Sequence, residues 1–141
     1  MDNLELSRIA RKVLMADEGF SREVYLLYGI RHIGYGFNLD GVGMYKEEAD
    51  FILANRVNKA MKELKKQFPN YELMSDARKL VLINLCYNLG IHGLLGFRRF
   101  VEACGLQDWV KAAKELLDSK AHKQNPARME RLAYLFEMDK M

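Results

Sequence analysis

Val24-Tyr-Leu-Leu-Tyr-Gly-Ile-Arg-His-Ile-Gly-Tyr-Gly-Phe37 breaks a chain that is otherwise patterned for helix. It is rich in Val, Ile, Tyr and Gly, with Gly29 in the middle as a turn signal, and reads as a small antiparallel hairpin. Alternation along Ile30–Phe37 puts Ile33, Tyr35 and Phe37 on one face. The other face carries His32, Gly34 and Gly36, so it is nearly bare of side chains apart from one imidazole. Two glycines on one strand face permit close approach of a bulky ligand, with His32 at its edge. A bulge at Gly34 and Gly36 beside an exposed His32 is the competing reading.

The segments on either side return to helical spacing. Upstream, Asp2 with Glu5 three residues on is a capping-box pattern. Leu6, Ile9, Val13 and Ala16 then repeat at helical period to about Asp17, and Gly19 ends the helix. Downstream, Asn38–Gly43 has loop chemistry. From Lys46 the residues Ala49, Ile52, Leu53, Val57, Ala60 and Leu64 describe a helix of roughly 20 residues, about 30 Å long, which Pro69 stops. Ser75 or Asp76 caps the next helix. Its body, Leu80–Leu89, is apolar almost all round, and Gly90 closes it. Further helices are expected around Phe97–Cys104, from Gln107 to Lys120, and from Pro126 with Asn125 as its cap. The fold class is therefore α+β: a small hairpin-sheet lobe of about residues 14–50, a long connecting helix, and a helical-bundle lobe of 51–141 plus the N-terminal helix. Together they make a single domain, with a ligand cleft expected between the lobes.

Composition narrows the function classes. With 141 residues, half of them hydrophobic and 29% charged, the chain can bury a core and needs no metal or cofactor to fold. Two cysteines make no disulfide framework; Cys86 and Cys104 read as buried thiols. Three scattered histidines show no metal-ligand spacing. No apolar run reaches the roughly 18 residues of a membrane span. The start, Met-Asp-Asn-Leu-Glu-Leu, lacks the basic n-region and apolar core of a signal peptide, so accumulation in the cytoplasm of the producing cell is expected. Charge is uneven: residues 1–50 hold six basic and nine acidic side chains, residues 51–141 sixteen and ten. A basic second part suits an anionic partner such as a wall polymer. The basic runs Lys62–Lys66 and Phe97–Arg99 are too short, and too poor in interleaved aromatics, to argue for nucleic acid.

Among the acids, Glu18 stands out. It sits at the C-terminal end of the first helix, where the macrodipole disfavours a negative charge, and Gly19-Phe20 follows. Both features favour the protonated carboxyl that a general acid requires. A solvated helix-end Glu is the plain alternative.

Glu18-Gly-Phe-Ser-Arg-Glu-Val-Tyr25 followed by Ile33-Gly-Tyr-Gly36 resembles the catalytic signature of the phage-type lysozymes, the endolysins of the T-even and related phages. Arg78–Gly90, Gly93-Leu-Leu-Gly-Phe97, Trp109 with Ala112-Ala113, and Gln124-Asn-Pro-Ala-Arg128 follow in family order, so the likeness covers nearly the whole chain. The resemblance implies a lysozyme-like fold and cleavage of the β-1,4 bond between N-acetylmuramic acid and N-acetylglucosamine in bacterial peptidoglycan, by a monomer without membrane insertion. Glu18 would be the proton donor. Arg128 matches an arginine that pairs near that Glu, Tyr87 and Asn88 match cleft-lining positions, and Asn84 matches a neighbour of the catalytic Glu. The family reaches the wall after a separate membrane protein makes holes.

Departures from the family pattern bear on mechanism. The family has an Asp nine residues after the Glu; here the residue is Leu27, and no acid lies between Glu23 and Asp40. The Thr before Ile-Gly is His32, and the His after Gly-x-Gly is Phe37. The second carboxylate of a glycosidase is thus missing from its place. Three readings follow: hydrolysis with Glu18 as acid and His32 as base; lytic transglycosylation, with Glu18 acting alone; or a non-catalytic wall-binding relative.

Overall fold

The computed structural model describes all 141 residues. Its elements are α1 (Asn3–Glu18), β1 (Ser21–Leu27), β2 (Ile30–Gly34), β3 (Phe37–Asn38), α2 (Lys46–Gln67), a 3-10 turn (Tyr71–Leu73), α3 (Asp76–Leu95), α4 (Arg98–Gly105), α5 (Trp109–Leu117), α6 (Lys120–Gln124) and α7 (Pro126–Met138). The fold is α+β, with one three-stranded antiparallel sheet in the order β1-β2-β3. No single helix is long and apolar enough to cross a membrane. Two compact units divide the chain, residues 1–51 and 52–141, and the boundary falls inside α2.

In the first unit, Asp2 caps α1 by accepting the Glu5 N–H at 2.8 Å. The expected hairpin forms: Leu27 pairs with Ile30 around a two-residue turn, Tyr28-Gly29, with φ of 51° and 76°. Two consecutive positive φ values are those of a type I′ turn, whose twist matches that of the flanking strands. The strand alternation, however, stops earlier than the sequence suggested. β2 ends at Gly34, Tyr35 and Gly36 form a second tight turn, and Phe37-Asn38 return as β3 against Ile33 and His32. Gly34 is therefore the last strand residue, paired with Ser21, and Gly36 lies in the turn, so the two do not form one bare strand face. α1 belongs to the first unit, because only Gly19 and Phe20 separate it from β1 and its last turn packs on the β2–β3 turn.

The second unit is built on aromatic packing. Phe68, Phe100 and Phe136 form a chain of tilted rings at 6.1 and 5.4 Å, and Trp109 meets Phe136 edge-on at 5.7 Å. The Arg78 guanidinium lies 4.5 Å above the Trp109 ring. Its Nε donates to the Phe136 carbonyl at 2.9 Å and its Nη2 to the Glu137 carbonyl at 3.3 Å, so one cation satisfies the last carbonyls of α7. Ser75, the N-cap of α3, also hydrogen-bonds Asp139 just beyond α7. The start of α3 and the end of α7 are thereby clamped together.

Two helix readings change. α3 buries Val81, Leu82, Leu85 and Cys86, but Leu80 and Tyr87 are exposed, so it packs on one side and is not enclosed all round. Gly90, with φ of 73°, interrupts it where the sequence placed its end. The helix expected over 107–120 stops at Leu117, because Ser119 re-caps the chain by accepting the His122 N–H at 3.2 Å and starts α6. Asn125 and Pro126 open α7 as expected.

Cys86 and Cys104 are both free and buried. Burial raises both thiols, Cys104 to about 12 against the pull of nearby Arg78. An unfolded cysteine ionises near pH 8.5. Thiol burial therefore stabilises the native state at neutral pH, and that contribution is lost as pH rises from about 8.5 toward 12. Chemical denaturation at pH 7 and pH 10 should show a decline in stability that is smaller in Cys104→Ala. Both thiols should resist labelling until the chain unfolds. Separately, Phe136→Ala should lower unfolding free energy by about 3–5 kcal/mol, measured by the same titration.

Candidate active site

Arg11, Leu14, Met15 and Glu18 recur at i, i+3, i+4 and i+7, which is one face of α1. That face meets Tyr35 and Phe37 around a cavity of about 330 Å³. Glu18 is the last residue of α1, and the Gly19 N–H closes the helix on the Met15 carbonyl at 3.0 Å. Phe20, which follows Gly19, meets Tyr35 as a tilted pair with ring centroids 5.6 Å apart, and the rings that line the Glu18 cavity are Tyr35 and Phe37.

Gly36 decides where the carboxylate lies. Its φ is 68°, and a Cβ there would run into Glu18 Oε2, with Glu18 Cδ at 3.0 Å. The acid thus occupies the space that any other residue at 36 would fill. Gly34 is filled differently: the Phe37 ring stands 2.7 Å from where its Cβ would be. The expected open face for a bulky ligand is therefore absent, its two positions being taken by a carboxylate and a ring.

His32 lies in the central strand, paired with Tyr25 on one side and Asn38 on the other. Its ring stacks on Tyr25, with centroids 5.5 Å apart and planes 19° from parallel. Nδ1 sits 2.9 Å from the Ile30 carbonyl, which accepts a hydrogen bond from Nδ1–H. In the neutral ring the lone pair is then on Nε2. His32 does not line the Glu18 cavity, and neither does Leu27, which ends β1. Asp40, the next acid along the chain after Glu23, is committed elsewhere. Asp40 Oδ2 accepts the Arg31 backbone N–H at 2.8 Å, and Oδ1 accepts Arg31 Nη2 at 2.6 Å and Nε at 3.0 Å. These bonds hold the Asp40 carboxyl below the usual carboxylate range. The staple closing the β2–β3 region therefore lasts as pH falls through that range.

In the second unit, Asn84, Asn88 and Arg128 converge on a cavity of about 270 Å³. Asn84 and Asn88 are one turn apart on α3, and Asn88 Nδ2 donates to the Asn84 carbonyl at 2.9 Å and to Asn84 Oδ1 at 3.2 Å. Tyr87 is not part of this lining; it is exposed on a neighbouring side of α3. Gln124 and Asn125, which open the Gln124–Arg128 segment, add two more amides, and Leu85, Leu89, Ala121 and Met129 form the apolar part of the lining. Asn125 Oδ1 also accepts the Arg128 N–H at 3.3 Å, so the cap that starts α7 holds the guanidinium-bearing residue. Amides and one guanidinium make a hydrogen-bonding surface without a general acid. A larger cavity, about 430 Å³, lies between α4 and the α5–α6 junction and contains none of the candidate residues.

The sequence profile of the phage lysozyme family matches residues 15–132. Probable T4-type lysozyme 1 of Dictyostelium discoideum is 28% identical over 67 residues, which are 48% of this chain and 39% of that protein. The match thus spans well under half of that relative's length. With a profile match that runs from the last turn of α1 into α7, the chain belongs to the phage lysozyme family.

Proposed function

We propose that the protein is a peptidoglycan-degrading glycosidase that cleaves the β-1,4 bond between N-acetylmuramic acid and N-acetylglucosamine, with Glu18 as the general acid. The contact between Glu18 and Gly36 carries this reading. It fixes a carboxyl group at the end of a helix, at a cavity walled mostly by apolar side chains, where it is poised to exchange a proton. Asn84, Asn88 and Arg128 supply amide and guanidinium groups suited to the hydroxyl and acetamido groups of such a glycan. The proposed place of action is the bacterial wall, after release from the cytoplasm of the producing cell.

In this mechanism the Glu18 carboxyl donates its proton to the glycosidic oxygen. The C1–O bond breaks and the N-acetylglucosamine end leaves with a free hydroxyl. In hydrolysis a water then adds to C1 and gives up a proton. His32 is the candidate acceptor through Nε2, since Nδ1 is held by the Ile30 carbonyl. A specific observation favours a second route: His32 stands outside the Glu18 cavity and is stacked on Tyr25. In that route the C6 hydroxyl of the muramic acid attacks C1, and the Glu18 carboxylate takes its proton. The product is a 1,6-anhydro ring, and no second base is needed. A non-catalytic wall-binding role would leave the seating of Glu18 without a use.

Glu18→Gln should reduce wall lysis by about 10²–10⁴-fold while leaving the circular dichroism spectrum unchanged. Lysis that persists in a folded Glu18→Gln protein removes Glu18 from the chemistry. Mass spectrometry of the released muropeptides separates the two routes. Hydrated reducing ends that vanish in His32→Ala mean hydrolysis with His32 as base; 1,6-anhydro ends that survive His32→Ala mean transglycosylation.

Gly36→Ala tests the seating of the acid. The left-handed φ costs a non-glycine residue roughly 1–2 kcal/mol, so the protein should still fold. The new methyl group displaces the carboxylate, the flexible end of the contact, and activity should fall by a factor well beyond the stability loss. Thermal melts and lysis rates measured together check this.

A further inference from the structure

Between Arg56 and Lys66, α2 carries six charged side chains, of which five are cationic: Arg56, Lys59, Lys62, Lys65 and Lys66, against Glu63 alone. At 100° per residue, Lys59, Lys62 and Lys66 fall on the side of the helix away from the buried Ala60 and Leu64, with Arg56 and Lys65 at its two edges. All five cations are exposed. Lys59–Glu63, at 4.0 Å, is the one ion pair they make. The start of the same helix is organised differently: Glu47 and Glu48 stand at its N-terminus, and Lys46 pairs with Asp50 at 2.7 Å. Neighbours three and four residues apart, Lys59–Lys62, Lys62–Lys65 and Lys62–Lys66, repel one another on the helix surface. The macrodipole compensates for Lys65 and Lys66 in the last turn, but not for Arg56, Lys59 and Lys62.

We infer that this cationic stripe is a docking surface for a linear phosphodiester polyanion of the bacterial wall, separate from the residues that act on the glycan. A row from Arg56 to Lys66 covers about 15 Å of helix axis, enough for several successive phosphates of an extended chain. A lipid surface fits less well. A helix lying on a membrane buries an apolar face there, and the apolar face of this half of α2 is already used in the core by Ala60 and Leu64. Single-stranded nucleic acid would call for aromatic stacking platforms among the cations, and none lies between Arg56 and Lys66. The choice of a wall polymer rests on the proposed wall-degrading function, whereas the binding itself needs no turnover.

The test uses the full chain and poly(glycerol phosphate), with binding followed by calorimetry across a salt series. In Arg56→Gln/Lys59→Gln/Lys62→Gln, affinity at low salt should fall at least tenfold, and the slope of log K against log salt should become shallower by about two to three. Turnover of a small soluble muropeptide should be unchanged. Lys111→Gln/Lys114→Gln/Arg131→Gln, which removes the same charge elsewhere on the second unit, should keep most of the affinity. Equal losses in the two triple variants would mean that net charge acts without a site, and would overturn the proposal. So would unchanged binding in the stripe variant, or tighter stripe-dependent binding to duplex DNA or to vesicles containing phosphatidylglycerol. Stripe-dependent binding by a protein that lyses no wall would support this inference while refuting the glycosidase reading; lysis without stripe-dependent binding would do the reverse.

Discussion

The Glu18 carboxylate occupies the volume that a side chain at residue 36 would need. That exclusion depends on three local facts that must hold together. α1 must end at Glu18, the link to β1 must be as short as Gly19-Phe20, and the chain between β2 and β3 must turn through a left-handed residue at Gly36. A longer link or a bulkier turn would move the acid relative to the cavity formed with Tyr35 and Phe37. The first unit buries few side chains, so this contact, the type I′ turn and the Arg31–Asp40 staple carry much of its definition.

The second unit is organised by burial. Phe100 and Phe136 are almost wholly inaccessible, and their ring contacts connect α4 to α7. Arg78 adds a polar counterpart by covering Trp109 with its flat face and spending its N–H groups on the end of α7. A lysine could supply the charge, but not the planar fork that stacks and donates together. This rigid base holds Asn84 and Asn88 on α3 and Arg128 on α7 around one cavity. A hydrogen-bonding surface on packed helices keeps its geometry better than one on loops.

The candidate groups are thus divided. Glu18 lies on a small, turn-rich unit, and the cavity lined by Asn84, Asn88 and Arg128 lies on a large, well-packed one. The acid that the family resemblance expects at residue 27 is replaced by Leu27, and Asp40 is no free substitute, because both of its oxygens are engaged by Arg31. His32 keeps a free Nε2 but shares its ring face with Tyr25. In the proposed chemistry the two routes differ in the proton acceptor: His32 for a water in hydrolysis, the Glu18 carboxylate for a sugar hydroxyl in transglycosylation.

Much of this was legible in the sequence, because the signals were local. Period-3.6 apolar residues, the caps at Asp2, Ser75 and Asn125, the stop at Gly90 and the turn at Gly29 each depend on a few adjacent residues, and each stands in the structure. Glu18 was legible for the same reason, as a charge at the wrong end of a helix followed by glycine. What failed was extrapolation beyond a neighbourhood. Strict alternation carried Gly34 and Gly36 onto an open strand face, but a second turn, a ring and a carboxylate fill those positions. The same reading brought His32 toward the acid, while strand pairing gave its ring to Tyr25. Likewise, α3 looked apolar on every side, but its partners cover only one. Sequence alone determined the type and order of most elements and several of their caps, since capping and periodicity are short-range. Only tertiary structure decided which side chain takes which space, since that depends on partners far along the chain competing for the same volume.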